Sequence, residues 1–188
     1  MSDSSAFDYA YCGRPPQAAV DRAAAIQWLV MDADGVLTDG TIATGPEGED
    51  RKSFHVHDGK GLAMLRRADI GLAIVSARGS AALAARAGEL SIHELRQHVD
   101  DKARELDRLA AAYDIATEAM AYVGDDIVDI GAFNRAGLSV AVADAHPRCL
   151  ATSHWVTSYA GGRGAVREVC ELILAARGEL ASILKRHE

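Results

Sequence analysis

Short apolar runs recur along the chain: Trp28-Leu29-Val30-Met31, Leu72-Ala73-Ile74-Val75, Met120-Ala121-Tyr122-Val123 and Leu138-Ser139-Val140-Ala141-Val142. Each is too short for a stable helix and lacks polar alternation, which is the pattern of strands buried on both faces. Shorter strands are expected near Ser91–Leu95 and at Trp155-Val156-Thr157. The segments between these runs are helical in character. The Ala-rich stretch from Gln17 to Ile26 can form a short helix. Asp58 is placed to N-cap a helix carrying Leu62, Met64 and Leu65. Another helix is expected over about Ser80–Ala87, and Asp100 or Asp101 can cap the next, which carries Leu106 and Leu109 towards Tyr113. Ile127 to Arg135 reads as a short helix, and Gly161-Gly162-Arg163-Gly164 opens a long amphipathic one to about Arg177 with a charged tail behind it. Thr41-Ile42-Ala43 and Lys52-Ser53-Phe54-His55-Val56 flank the turn-rich Gly45-Pro46-Glu47-Gly48 and predict a β-hairpin.

Strands alternating with helices predict an α/β fold: a Rossmann-like, doubly wound, mostly parallel sheet with helices on both faces. The interval from Asp34 to Ser76 has room for a small β-hairpin insertion and one helix, and none for a separate domain. The expected organisation is a flexible leader over residues 1–16, ending in Pro15-Pro16, and one domain over 17–188. Within it the hairpin insertion spans about 38–57 and the C-terminal helix and tail about 161–188.

Composition narrows the classes of function. A chain of 188 residues with 49% hydrophobic and 25% charged residues is that of a soluble globular protein. The net charge of −7 argues against nucleic acid and against an anionic membrane as partners, since both require a basic footprint. A small anionic substrate remains compatible, because one cationic site can sit on an acidic protein. Cys12, Cys149 and Cys170 are odd in number and widely spaced, so they form no disulfide framework and read as thiols in a reducing compartment. The N-terminus has no secretory signal, and no stretch approaches ~20 consecutive apolar residues. The cytoplasm is the expected location.

Three predicted strands end in reactive groups, at Asp32, Ser76 and Asp125, and ligands bind at the carboxyl ends of such strands. In Asp32-Ala33-Asp34-Gly35-Val36-Leu37-Thr38-Asp39-Gly40, Asp32 can serve as a nucleophile and Asp34, two residues on, as acid/base. Taken alone, the same residues also form an ordinary turn. Gly124-Asp125-Asp126-Ile127-Val128-Asp129 crowds carboxylates behind another strand. A hard cation such as Mg²⁺ relieves their repulsion, with Asp125, the Asp34 carbonyl and Asp32 as the candidate ligands, while Asp125 or Asp126 can also cap a helix. Phosphoryl transfer needs donors for the equatorial oxygens, which Ser76 and Lys102 can supply. Taken singly, Ser76 reads as a helix cap and Lys102 as a surface lysine.

The order DxDGxxTD, strand-end Ser, helix Lys, GDDxxD resembles the haloacid dehalogenase superfamily of phosphohydrolases. This resemblance covers about residues 28–142. It implies Asp32 as nucleophile, Asp34 as acid/base, Ser76 and Lys102 as phosphate binders and Asp125 as Mg²⁺ ligand, with Asp126 and Asp129 behind them, the former near the metal and the latter holding Lys102 or a loop. Over about 27–178 the chain is similar to the 3-deoxy-D-manno-octulosonate 8-phosphate (KDO 8-phosphate) phosphatases. The residues that carry this are Asp32 to Gly40, Phe54-His55-Val56-His57-Asp58-Gly59, Ala121 to Asp126, Gly137 to Pro147 and Ala160-Gly161-Gly162-Arg163-Gly164-Ala165-Val166-Arg167-Glu168.

That closer resemblance implies hydrolysis of KDO 8-phosphate in lipopolysaccharide precursor biosynthesis. It also implies a capless homotetramer whose neighbouring subunits close each site. Asp58, Arg78, His57 and Arg163 become candidate substrate contacts, with Arg163 in a turn that could bind an anion. Two positions depart from the family pattern: His57 stands where the family has Arg, and Ala77 where it usually has Gly. Lys60 could supply a charge in place of the missing Arg. A phosphatase for another sugar-acid phosphate, such as a nonulosonate 9-phosphate, is the nearest alternative reading. A non-catalytic relative retained for assembly is the alternative from another class. Transfer to an acceptor other than water would use the same aspartyl-phosphate chemistry.

Overall fold

The computed structural model describes residues 11–12 and 15–186. Most of the predicted leader lies outside the described residues. Among the described residues eight strands are formed: β1 (Trp28–Met31), β2 (Ala43–Thr44), β3 (Asp50–Arg51), β4 (Gly71–Val75), β5 (Glu94–Arg96), β6 (Met120–Gly124), β7 (Leu138–Ala141) and β8 (Trp155–Val156). The helices are α1 (Gln17–Ala23), α2 (Val56–Arg67), α3 (Ala81–Leu90), α4 (Lys102–Tyr113), α5 (Ile130–Phe133), α6 (Pro147–Thr152), α7 (Ala165–Ala176) and α8 (Leu180–Lys185).

Six strands form one parallel sheet in the order β5-β4-β1-β6-β7-β8, and β2 and β3 form a separate antiparallel pair. Strand β1 lies between β4 and β6, with Met31 level with Ile74 on one side and Val123 on the other. The chain winds outward from β1 through β4 to β5, then crosses back and winds the other way through β6, β7 and β8. The direction of winding therefore reverses at β1, and a crevice opens above its carboxyl end. Right-handed crossovers put α2 and α3 on one face and α4 and α5 on the other. Strands β1, β4, β6 and β7 are buried along their whole length, which is why they read as continuous apolar runs.

Caps set several helix starts. The Ser80 side chain accepts from Leu83 N–H at the head of α3, and the Asp101 side chain accepts from Arg104 N–H at the head of α4.

Four local expectations are corrected. The hairpin is shorter than its sequence pattern: β3 ends at Arg51, and Lys52 to His55 leave the pairing before α2 begins at Val56. The Lys52 side chain leaves the ribbon for the body of the protein, where only 4% of it is exposed. Asp58 does not cap α2; His55 is at the N-cap and Asp58 lies within the first turn. Its carboxylate instead accepts Arg167 N–H at 2.8 Å and ties α2 to α7. The charged tail contains α8, whose Leu180 and Ile183 are buried. Helix α6, which no apolar period announced, starts on Pro147 with His146 as its cap. Among the described residues, no helix is long and apolar enough to cross a membrane.

Candidate active site

The loop after β1 wraps tightly around its own carbonyl. Ala33 C=O accepts the N–H groups of Leu37 (2.9 Å) and Thr38 (3.1 Å), and the Thr38 hydroxyl accepts Gly35 and Gly40 N–H. Gly35 adopts φ +85°, and a Cβ there would lie 2.1 Å from Asp125 Oδ2. Only glycine allows this loop to approach Asp125 so closely.

A second loop supports the first from behind. Gly162 N–H donates to Val36 C=O at 2.9 Å, and Gly161 N–H donates to Asp144 Oδ1 at 2.9 Å. A Cβ on Gly161 would lie 1.7 Å from Gly35 O. The Gly161–Gly164 turn is thus a backbone buttress for the loop after β1, and its Arg163 pairs with Asp39 at 3.2 Å.

Asp32 is 6% exposed, with its Oδ1 accepting Ala33 N–H at 2.7 Å and its Oδ2 2.8 Å from Lys102 Nζ. Lys102, at the first turn of α4, also reaches Asp129 Oδ1 at 2.6 Å. Asp129 is fully buried and its oxygens are all engaged. Its Oδ1 also accepts from Tyr122 Oη, and its Oδ2 accepts Asp125 and Asp126 N–H. Asp126 is exposed and caps the turn at Ile127–Asp129, where its Oδ1 accepts Ile127 N–H. Behind Asp125, its carbonyl accepts His146 N–H at 2.7 Å, which assigns His146 to the loop's support.

Three buried or half-buried carboxylates surround the one Lys102 ammonium here, and the surplus of negative charge shows in the protonation of Asp32 and Asp125. Burial raises the Asp32 carboxyl to about 6, with Asp129 adding to the effect and Lys102 opposing it. Asp125 rises to about 8, through burial first and then the charges of Asp32 and Asp129. Burial works against the Lys102 charge, but Asp32 and Asp129 outweigh it and hold the ammonium above its usual range.

Carboxylate oxygens of Asp32, Asp125 and Asp129 lie within 4.8 Å of one another. Asp129 is saturated by hydrogen bonds, whereas Asp125 Oδ1 is buried without a partner. A small oxygen-seeking cation fits between Asp32 and Asp125, where it would relieve both the repulsion and the orphaned oxygen.

The cleft above these groups has a volume of about 290 Å³ and is lined by Asp32, Asp34, Ser76, Arg78, Lys102 and Asp125 among others. Ser76 is no helix cap: its Oγ accepts Arg78 N–H at 3.2 Å, and its backbone is fixed to β5 through Arg96 C=O. The predicted sites Asp32, Asp34, Ser76, Arg78, Lys102, Asp125 and Asp126 therefore meet around one cleft. His57, Asp58 and Arg163 do not line it. His57, in the first turn of α2, stands edge-on to Tyr11 with ring centroids 5.8 Å apart. Lys60 is exposed on α2.

A larger cleft of about 510 Å³ gathers Arg96, Arg104 and Arg108 with Asp100, Asp101 and Glu105. Arg96 and Arg108 are both paired with Glu105, and nothing resembling a nucleophile with a cation stands there.

Sequence reasoning missed Lys52, whose Nζ lies 2.5 Å from Asp34 Oδ1, and Tyr122, which looked like one more core residue. No local signal separates Lys52 from Lys60. A tyrosine inside an otherwise aliphatic strand was the available hint for Tyr122, since a buried hydroxyl requires a partner.

The sequence pattern of the haloacid dehalogenase-like hydrolases matches residues 83–169. The 3-deoxy-D-manno-octulosonate 8-phosphate phosphatase of Yersinia pestis is 44% identical over 180 residues, covering 96% of this chain and 96% of that protein. A crystal structure of a phosphatase of the same name from Yersinia pestis superposes with a TM-score of 0.86 at 46% identity, covering 87% of this chain and 89% of the other. The Moraxella catarrhalis phosphatase, solved in complex with magnesium ion, phosphate ion and KDO, superposes with a TM-score of 0.89 at 39% identity, over 90% of this chain and 98% of that one.

Proposed function

This chain belongs to the 3-deoxy-D-manno-octulosonate 8-phosphate phosphatases within the haloacid dehalogenase-like hydrolases, and we propose that the cleft above β1 is where it cleaves that substrate. It is a phosphoric monoester hydrolase that converts KDO 8-phosphate to KDO and phosphate, a step in supplying lipopolysaccharide precursors, and its cofactor is Mg²⁺. The observation that carries the placement is Asp32. A carboxylate at the switch point of the sheet faces the cleft, flanked by the Lys102 ammonium and by the unpartnered Asp125.

Asp32 attacks the phosphorus; the ester P–O bond breaks as the Asp32 Oδ–P bond forms, and Asp34 gives a proton to the departing sugar oxygen. Water then attacks the aspartyl-phosphate, Asp34 takes a proton from it, and the Oδ–P bond breaks to release phosphate and restore Asp32. Ser76 and Lys102 hold the equatorial oxygens, and Lys102 is itself held by Asp129. Asp32, Asp125 and the Asp34 carbonyl would hold the Mg²⁺, which supplies positive charge against the phosphate dianion. Arg78 stands at the cleft wall, where it can meet the sugar acid.

His57 and Arg163 are exposed away from this cleft, so any contact they make with substrate belongs to a neighbouring subunit's site, whereas Asp58 is buried where it ties α2 to α7. That fits a homotetramer in which subunits close each other's clefts and exclude water in place of a cap domain. The chain from residue 17 acts as one hydrolase domain carrying the hairpin insertion. The buried thiols Cys149 and Cys170 agree with a cytoplasmic location, and the net charge of −7 with neither nucleic acid nor membrane as partner.

Phosphate release is measured with Mg²⁺ on a panel of sugar-acid phosphates. KDO 8-phosphate is expected to give the highest kcat/KM. A clear preference for a nonulosonate 9-phosphate would overturn the substrate assignment, and no release from any monoester, activated aryl phosphates included, would overturn the reaction.

A further inference from the structure

The hairpin insertion makes one contact with the catalytic loop that a mere cover would not need. Immediately after β3 the chain turns inward and places Lys52 Nζ 2.5 Å from Asp34 Oδ1 and 3.6 Å from Asp50 Oδ2. The Lys52 side chain is 4% exposed, while that of Asp34 is 25% exposed at the rim of the cleft. A lysine is almost never buried to this degree without a partner, so the position is built around the ion pair. Asp50 lies on the other side of the ammonium, beside the Ser80 hydroxyl at the head of α3. The ammonium thus faces a second carboxylate, which is itself held at the head of α3.

Asp34 has two oxygens with different surroundings. Oδ1 is taken by Lys52. Oδ2 faces Arg78 Nε at 3.9 Å, too long for a hydrogen bond and on the side of the cleft. A group that must both give and take a proton has to lie within hydrogen-bond reach of the reacting oxygen. An aspartate on a loop, with two free side-chain torsions, gains that placement only if something holds it.

We propose that Lys52 is the positioning residue for Asp34. By gripping Oδ1 from the hairpin it sets the carboxylate so that Oδ2 performs both proton transfers, to the sugar oxygen and from the attacking water. The insertion thereby forms part of the catalytic apparatus. This inference rests on the phosphatase reading of the same cleft.

The test is pre-steady-state kinetics of the full chain with Mg²⁺, comparing Lys52→Met with wild type on KDO 8-phosphate and on p-nitrophenyl phosphate. Nitrophenolate leaves without protonation, so its release in the first step does not need Asp34, whereas hydrolysis of the aspartyl-phosphate does. Lys52→Met is expected to give a burst of about one nitrophenolate per site followed by a slow phase. Its steady-state kcat on KDO 8-phosphate should fall by about ten-fold or more, within the ~10²–10⁴-fold that acid–base catalysis contributes, with KM changed by less than about three-fold.

Lys52→Gln, which keeps a donor, should recover part of the loss and carries the same burst measurement if the Met variant does not fold by circular dichroism. A parallel loss on both substrates without a burst, a rise in KM alone, or unchanged kinetics would each overturn the proposal. Wild type in the same assay reports on the parent reading: absence of turnover there sinks both, while normal wild-type turnover with no burst in the variants sinks only the role of Lys52.

Discussion

Asp125 opposes two demands, and replacing it should separate them. In the folded protein its carboxyl is raised from the usual 3.8 to about 8, through burial and through the charges of Asp32 and Asp129. The folded chain therefore binds more protons than the unfolded one between these two values. Stability of the metal-free protein must then fall as pH rises from about 4 to about 8. Were Asp125 wholly shielded from solvent, this difference in proton binding between folded and unfolded chains would cost about 4 kcal/mol of stability at pH 7; partial exposure at the cleft brings this to about 2–4 kcal/mol.

Asp125→Asn keeps the shape and removes the charge. In EDTA at pH 7 the variant should be more stable than wild type by that amount, which for a chain of this length raises Tm by roughly 4–16 °C. The gain should fade at pH 4, where wild-type Asp125 is protonated. Magnesium should raise the Tm of wild type by mass action and leave that of the variant unmoved, and the variant should not turn over. Thermal melts monitored by circular dichroism at the two pH values, with EDTA or Mg²⁺, provide the measurement. A variant no more stable than wild type in EDTA at pH 7, or one equally stabilised at pH 4, would show that charge repulsion at Asp125 does not oppose folding.

Four further outcomes follow from the geometry. Asp32→Asn should abolish turnover, because an amide cannot form the acyl-phosphate; retained phosphate release refutes its role as nucleophile. Asp34→Asn should still be phosphorylated but dephosphorylate slowly, most visibly with poor leaving groups, as read by trapping of the phosphorylated chain. Lys102→Met leaves Asp32 and Asp129 buried around a missing charge and should cost about 3–5 kcal/mol in urea denaturation, together with phosphate binding. A loss under about 1 kcal/mol there would dissolve the triad as a structural unit. Gly161→Ala drives a methyl group into Gly35 O and should cost about 1–3 kcal/mol while lowering turnover, since the catalytic loop must shift; full stability with full activity would remove the buttress.

Sequence periodicity and strand-end chemistry determined much of this protein. Strands buried on both faces announce themselves as unbroken apolar runs, so β1, β4, β6 and β7 were legible, and with them the points where Asp32, Ser76 and Asp125 emerge. Caps are local, so Ser80 and Asp101 marked their helices. Tertiary structure decided whatever depends on partners distant in the chain. Lys52 and Lys60 are alike in sequence, yet one is buried against Asp34 and the other lies on a helix surface.

Asp58 looked like a cap for α2, but an N–H on α7, more than a hundred residues away, donates to its Oδ1. The turn at Gly161–Gly164 read as an anion site because glycines before a helix often are; here the same freedom lets one backbone press on another. Local propensity can state where a group leaves a strand. Which group it meets is set by how the crossovers fold the chain back over β1.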